Sequence, residues 1–393
     1  MNEDSRRLLA LSIYHCVNDG SLTLFASALP VMRIGLGLSF LEIGTVLTAG
    51  LVSTMVLQLA FGVLSDRGHA RRVLVLGFAS IVAADLMFPI SATFFQVLVF
   101  YVFLRSAAGV YHPVSFASIG RTFEDRTAAF GYQGAIGDLG LTFATFSTGL
   151  LSEAFSWRTP FWVWGGLGLV LFVYFIVTVS KSPVNFYARP SPRSRETSND
   201  TRDVRSERST FAILALTSSL TTVSFIIFTG YMPLYFNLIE GLSPSWSTGI
   251  VAFWIGIGAF AGLMTGRVVS GLGGEPKTLR VMFGIETILF LIANVCVSIP
   301  VAYLSESILR EVAIALTGIP VFITFPAVNG LLGLRMSHRR LGLTYALNLS
   351  IGLMIASAAT FATGYLASVA SISVTLPILL VVAVLGTVTS FKL

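Results

Sequence analysis

Twelve apolar runs, each long enough to cross a bilayer as a helix, dominate this chain, at about 8–32, 40–64, 72–91, 94–117, 128–151, 160–180, 211–236, 246–268, 279–299, 308–333, 341–367 and 372–391. Backbone polar groups inside lipid must be satisfied within their own segment, so runs of this length form helices. At about 22 residues per span they consume most of the 393 residues and leave no room for a soluble catalytic domain. Only 11% of the residues are charged and the mean hydropathy is +0.83, against about 25% charged in a soluble domain. The expected fold is an all-α polytopic membrane protein whose twelve transmembrane helices form two pseudo-symmetric six-helix bundles. By hydropathy the first and eleventh spans, which contain polar residues, are the least secure.

Basic residues fall on one side. With the N-terminus, the stretch between the sixth and seventh spans and the C-terminus in the cytoplasm, 21 Lys/Arg lie inside, Arg33, Arg158 and Arg310 lie outside, and Arg105 stays in the membrane. That asymmetry sets an orientation in a cell membrane, so the formal charge of +6 reads as topology and not as nucleic-acid binding. Residues 181–210 are rich in Arg, Ser, Pro and Asp and lack hydrophobic periodicity. They read as a cytoplasmic linker between an N-terminal bundle, 1–180, and a C-terminal bundle, 211–393. The first span has no small-residue cleavage site and is expected to be retained. Cys16 and Cys296 sit in apolar runs and read as small hydrophobes.

The halves echo one another. Gly62-Val-Leu-Ser-Asp66-Arg67 recurs as Gly262-Leu-Met-Thr-Gly266-Arg267, and Phe25 to Pro30 recurs loosely as Phe228 to Pro233. Pro113 and Tyr132 correspond at one common offset to Pro326 and Tyr345.

Ionisable side chains near the midplane are costly and face a partner or a water-filled cavity. Asp19, Asp85, Arg105 and Asp138 lie about ten to thirteen residues deep, with Glu286 nearer the cytoplasm. His15 and Asp19 are one helical turn apart and share a face of the first helix; Arg105 and His112, seven apart, share a face of the fourth. If those faces meet, Asp19 and Arg105 lie together with both histidines, and Asp138 completes the cluster. One reading is a proton relay through Asp19, Arg105, Asp138, His15 and His112, with Asp85 and Glu286 as possible additional members. The other is an Asp–Arg ion pair that pins helices together. In the C-terminal half, hydroxyls from Thr217 to Ser224 and Asn348 offer hydrogen bonds without charge. Thr221, Phe228, Tyr231, Phe325, Asn329 and Asn348 are candidates for a substrate cavity, although hydroxyls in membrane helices commonly bond their own backbone.

The loop after the second span reads Gly62-Val-Leu-Ser-Asp66-Arg67-Gly68-His69-Ala70-Arg71-Arg72. Here the chain resembles the major facilitator superfamily, whose signature loop is G-x-x-x-D-R-x-G-R-R/K; His69 and Ala70 depart from it. The resemblance implies a conformational latch at Gly62, Asp66 and Arg67. Arg105-x-x-x-Gly109 fits the superfamily's fourth-span pattern, which is linked to proton coupling. His15-x-x-Asn18-Asp19 and Gly109-Val-Tyr-His112-Pro113 resemble the fosmidomycin-resistance branch, drug-efflux proteins driven by protons. The Gly-Pro-rich fifth-span motif common in superfamily antiporters is replaced by Gly131, Gly134, Gly137 and Gly140, every third residue, with no proline.

No phosphate loop, His-Glu-x-x-His pair or cysteine cluster is present in the sequence, so no enzymatic activity, cofactor or metal is expected. The implied function is a proton-coupled efflux antiporter of a small drug-like or metabolite substrate, working by alternating access as a monomer. The alternatives are a proton symporter importing a small organic anion, with Arg105 as substrate counter-ion, and a non-transporting membrane receptor. The linker is too short and polar to be the signalling domain a receptor needs.

Overall fold

The computed structural model describes residues 3–64, 69–122, 126–180, 204–298, 304–336 and 341–393. All regular structure among them is helical. The helices are α1 (Glu3–Leu36), α2 (Phe40–Leu64), α3 (Ala70–Met87), α4 (Phe94–Ala108), α5 (Tyr111–Thr122), α6 (Arg126–Ala154), α7 (Thr159–Ser180), α8 (Val204–Leu238), α9 (Pro244–Leu263), α10 (Thr265–Leu272), α11 (Glu275–Ser298), α12 (Leu304–Leu316), α13 (Gly318–Arg335), α14 (Leu341–Val369) and α15 (Thr375–Ser390).

Ten stretches among the described residues are long and apolar enough to cross a membrane. The other two expected spans are α1 and α6, which are less apolar because they carry the polar site residues. At 34 and 29 residues they rise about 51 and 43 Å, ample for a bilayer. The eleventh span, expected to be weak, is apolar over Leu347–Val369; the fifth takes its place as the polar one. Two spans are interrupted. The fourth consists of α4 and α5, broken at Gly109 and Val110, and the tenth of α12 and α13, broken at Thr317. Thr317 Oγ1 donates to the Ile314 carbonyl (2.6 Å) and accepts from Trp254 Nε1 (2.9 Å), so the second break leaves its hydroxyl satisfied.

Helix ends follow local chemistry. Gly37, at φ 65°, lets the chain leave α1 in a left-handed conformation. Two residues later Ser39 and Glu42 form a reciprocal capping box, with Glu42 N donating to Ser39 Oγ (3.2 Å) and Ser39 N to Glu42 Oε2 (2.8 Å). Arg158, expected outside, donates from Nε to the Pro89 carbonyl (2.9 Å) and from Nη2 to the Ser91 carbonyl (3.1 Å). It thereby satisfies main-chain acceptors in the turn that follows α3.

The Cα positions divide into two compact units, Met1–Leu38 with Ala49–Asp200 and Ser39–Thr48 with Thr201–Leu393. In the first unit α1 is the inner helix. Gly140 of α6 lies against the Cys16 carbonyl, and Gly20 of α1 against Trp164 of α7. Tyr14 stacks on Phe78 at 4.5 Å between ring centroids. In the second unit α8 is the inner helix, and its Phe228 stacks on Trp254 of α9 at 4.1 Å. Gly318, which opens α13, packs directly on the Trp254 carbonyl. A methyl group there has no space, so Gly318→Ala is expected to lower the stability of purified protein by about 1–3 kcal/mol, read as a lower Tm. Outward faces carry Val170, Phe253 and Phe260, all more than half exposed, as bilayer contact requires.

Candidate functional site

The polar centre of the first unit is built on α1. His15 and Asp19, one turn apart, pair at 3.0 Å between Nε2 and Oδ2. His112, at the start of α5, approaches the other carboxylate oxygen with Nε2 3.7 Å from Oδ1. Asn18 donates from Nδ2 to that same Oδ1 at 2.8 Å. The carboxylate is therefore shared among three side chains. The side chains of His15 and Asp19 are 7% and 12% exposed, while that of His112 is 32% exposed and forms the open side of the cluster.

His15 is held from behind. Its Nδ1 lies 2.8 Å from the main-chain oxygen of Gln133 on α6, and its ring stacks on Tyr111 at 4.8 Å. The Gln133 side chain donates to the Tyr111 hydroxyl (2.6 Å), which in turn donates to the Leu11 carbonyl (2.8 Å). Gly137, one turn along α6, lies so close to the His15 ring that a Cβ would overlap it.

This wiring fixes a proton count. A carbonyl oxygen can only accept, so His15 Nδ1 carries a hydrogen. Nε2 then faces Asp19 Oδ2 at hydrogen-bonding distance, where two lone pairs would repel. One proton therefore sits between them, as imidazolium with carboxylate or as imidazole with carboxylic acid. Removing it leaves a repulsive contact that only a movement of His15 or Asp19 relieves.

Arg105 makes no contact with Asp19, although it lies within electrostatic reach of His112. The expected meeting of Asp19 with Arg105 does not occur, because the fourth span is not one continuous helix. The break at Gly109 and Val110 resets the register between Arg105 on α4 and His112 on α5, so only the histidine faces Asp19. Arg105 is 7% exposed, makes no ion pair among the described residues, and its buried Nε has no hydrogen-bond partner there. Gly50 of α2 makes room for it, packing on Tyr101 and the Arg105 stem. Asp138 on α6 is half-buried and within electrostatic reach of His15 and Asp19 without bonding either. Asp85 and Glu286 are fully buried and remote from this cluster, bonded to Ser21 and Ser224.

Of the latch residues, Gly62 lies near the end of α2, and Asp66 and Arg67 lie outside the described residues. Among the expected cavity residues, Phe228 and Tyr231 are fully buried, and Tyr231 donates its hydroxyl to the Thr360 carbonyl at 2.8 Å. Thr221 turns back to the Thr217 carbonyl, as Thr217, Ser219 and Thr222 do to theirs. Asn348 donates to Ser218 Oγ at 3.0 Å. Phe325 is half-buried and Asn329 exposed.

Asn18, Tyr111, Gln133 and Gly50 were not among the expected site residues. Gly137 and Gly140, which pack on His15 and on the Cys16 carbonyl, were the available signal for the approach of α6 to α1, though not for Gln133 itself. Donor atoms of His15, Asp19 and His112 lie within 4.8 Å of one another. Two of those separations, 3.0 and 3.7 Å, bracket the roughly 3.4 Å between donors around a tetrahedral centre with bonds of about 2.1 Å, so the three groups are spaced for a small cation as well as for a shared proton.

The described helices include ten long and apolar enough to cross a membrane, and the first unit shields a histidine–carboxylate pair among them. The sequence profile of the Major Facilitator Superfamily matches residues 11–360, and the chain belongs to that family of membrane transporters. The quinolone resistance protein NorA of Staphylococcus aureus is 26% identical over 170 residues, 42% of this chain and 44% of the relative. The chain thus matches less than half the length of that curated relative. Among solved structures, a bacterial homologue of the human lysosomal transporter Spinster, inward-facing and unoccupied, superposes with a TM-score of 0.79 at 15% identity, covering 100% of this chain and 97% of that one. The nucleoside transporter NupG gives a TM-score of 0.69 at 14% identity, with coverage of 100% and 98%. These likenesses establish the fold.

Proposed function

We propose that this chain is a proton-coupled efflux antiporter that exports a small drug-like or metabolite substrate by alternating access. The observation that carries the reading is the 3.0 Å contact of His15 Nε2 with Asp19 Oδ2 while His15 Nδ1 faces a main-chain oxygen, an arrangement that calls for one shared proton. Losing that proton forces His15 or Asp19 to move, and a proton-dependent rearrangement on the inner helix of the first unit is the element coupling requires. The partial likeness to a quinolone resistance protein supports export of drug-like compounds. In this reading the bundles are residues 1–180 and 211–393 with a cytoplasmic linker, the protein is a monomer in the cell membrane with both termini inside, and Asp66 with Arg67 latches the cycle. Asp138 relays protons to the pair, and Phe325, Asn329 and Asn348 contribute to the substrate cavity.

Proteoliposomes with an imposed pH gradient test this directly. Substrate candidates from organic cations, anions and neutral compounds are added in turn. Collapse of the gradient with substrate flux opposite to the protons is the expected result; proton-independent flux overturns it. Arg105 favours a second reading, import of a small organic anion by proton symport, since its buried guanidinium has no carboxylate partner among the described residues. Flux of anion and proton in the same direction, lost in Arg105→Gln, selects that reading.

A further inference from the structure

Two buried carboxyl groups take no part in the cluster around Asp19. Asp85 on α3 and Glu286 on α11 are both 0% exposed. Each touches one serine on the inner helix of its own unit: Ser21 Oγ to Asp85 Oδ2 at 2.6 Å, and Ser224 Oγ to Glu286 Oε1 at 2.8 Å. In each case the second carboxyl oxygen is buried with no hydrogen-bond partner among the described residues, and no ion pair reaches either group there.

The two contacts are copies of each other. Ser21 stands four residues before Phe25, and Ser224 four residues before Phe228, the phenylalanines that already mark the internal repeat. Asp85 follows Asp66 by 19 residues and Glu286 follows Gly266 by 20, on the same repeat ruler. The partner helices are the third span of each half. A serine hydroxyl suits both forms of a carboxyl group, because it donates to the anion and accepts from the acid. One hydroxyl does not offset the desolvation of an ionised carboxylate in an apolar interior. The neutral acid avoids it.

We propose that Asp85 and Glu286 are matched carboxylic acids that keep their protons throughout the transport cycle and clamp the inner helix of each unit to its third span through Ser21 and Ser224. The coupling proton, on the reading proposed above, is confined to the His15–Asp19 pair. Position on α1 separates the two roles: Ser21 is two residues beyond Asp19, about 200° around the helix, so the open cluster and the sealed acid lie on opposite sides of one helix. A device present in both halves serves packing that both halves need, whereas the proton pair is present in one.

Infrared spectroscopy of the purified full-length protein in detergent or lipid at neutral pH provides the test. The wild type is expected to show carbonyl absorption of protonated carboxyl groups, with one component lost in Asp85→Asn and another in Glu286→Gln. Ser21→Ala and Ser224→Ala shift the same components without removing them, which covers the case of an amide variant that fails to fold. The double variant Asp85→Asn/Glu286→Gln is expected to keep gradient-driven transport within about twofold of wild type. Spectra of both amide variants identical to wild type in that region overturn the proposal. So does loss of proton coupling in the double variant with substrate exchange intact. If wild-type protein moves no protons at all, the transport reading fails while the spectroscopic assignment is still decided on its own.

Discussion

Asp19→Asn is expected to reduce gradient-driven transport by about 10–100-fold while leaving substrate exchange in the absence of a pH gradient measurable. The amide fills the same space and still meets Asn18, His15 and His112, so the fold has no reason to change. What disappears is a charge-assisted hydrogen bond, worth about 1.5–3 kcal/mol, together with the proton it contains. An amide NH₂ donates permanently to a neutral His15 Nε2, which fixes the site in a state resembling the proton-loaded one. Transport should therefore lose its dependence on pH along with its dependence on the gradient. Parallel measurement of gradient-driven uptake and equilibrium exchange in proteoliposomes checks this, and an unchanged pH profile in Asp19→Asn removes the pair from the mechanism. His15→Gln is expected to act in the same direction, because glutamine can bond the carboxyl group but cannot exchange a proton with it.

The second large effect belongs to a glycine. Gly137→Ala is expected to destabilise the protein by about 1–3 kcal/mol and to impair proton coupling more than substrate binding. The added methyl group has to occupy space filled by the His15 ring, which is also stacked on Tyr111. The ring must move, and the contact with Asp19 moves with it. Gly134→Ala on the same helix is the control, since nothing lies within 4 Å of a Cβ placed there. Thermal unfolding and a proton-flux assay on both variants separate the effects. Equal behaviour of Gly134→Ala and Gly137→Ala contradicts the packing argument.

Most of the architecture was legible because a bilayer leaves a chain so few options. Long apolar runs have one outcome in lipid, and their count, ends and internal repeat lie open in the sequence. The breaks at Gly109 and Thr317 were not legible, since apolar residues continue through both. That blind spot had a direct cost in the site, where a seven-residue spacing on an assumed continuous helix placed Arg105 with His112 beside Asp19. The His15–Asp19 contact was readable because it is local to one unbroken turn of α1. Gln133 was not, because its contribution is a main-chain oxygen and any residue type supplies one. Phe228 and Tyr231 illustrate a third case: an aromatic pair near a helix end looks the same in sequence whether it lines a cavity or fills a core, and here it fills a core.

That main-chain oxygen has a consequence for genetics. Because His15 is oriented by a peptide carbonyl, no side-chain substitution at position 133 deletes the acceptor that fixes its tautomer. A saturation scan will score position 133 by what its side chain does for Tyr111 and Ser115, and the bond that determines where the proton sits will leave no trace of its own. Changing that acceptor takes a backbone edit, such as an ester in place of the amide that follows residue 133, which weakens the carbonyl while leaving every side chain in place.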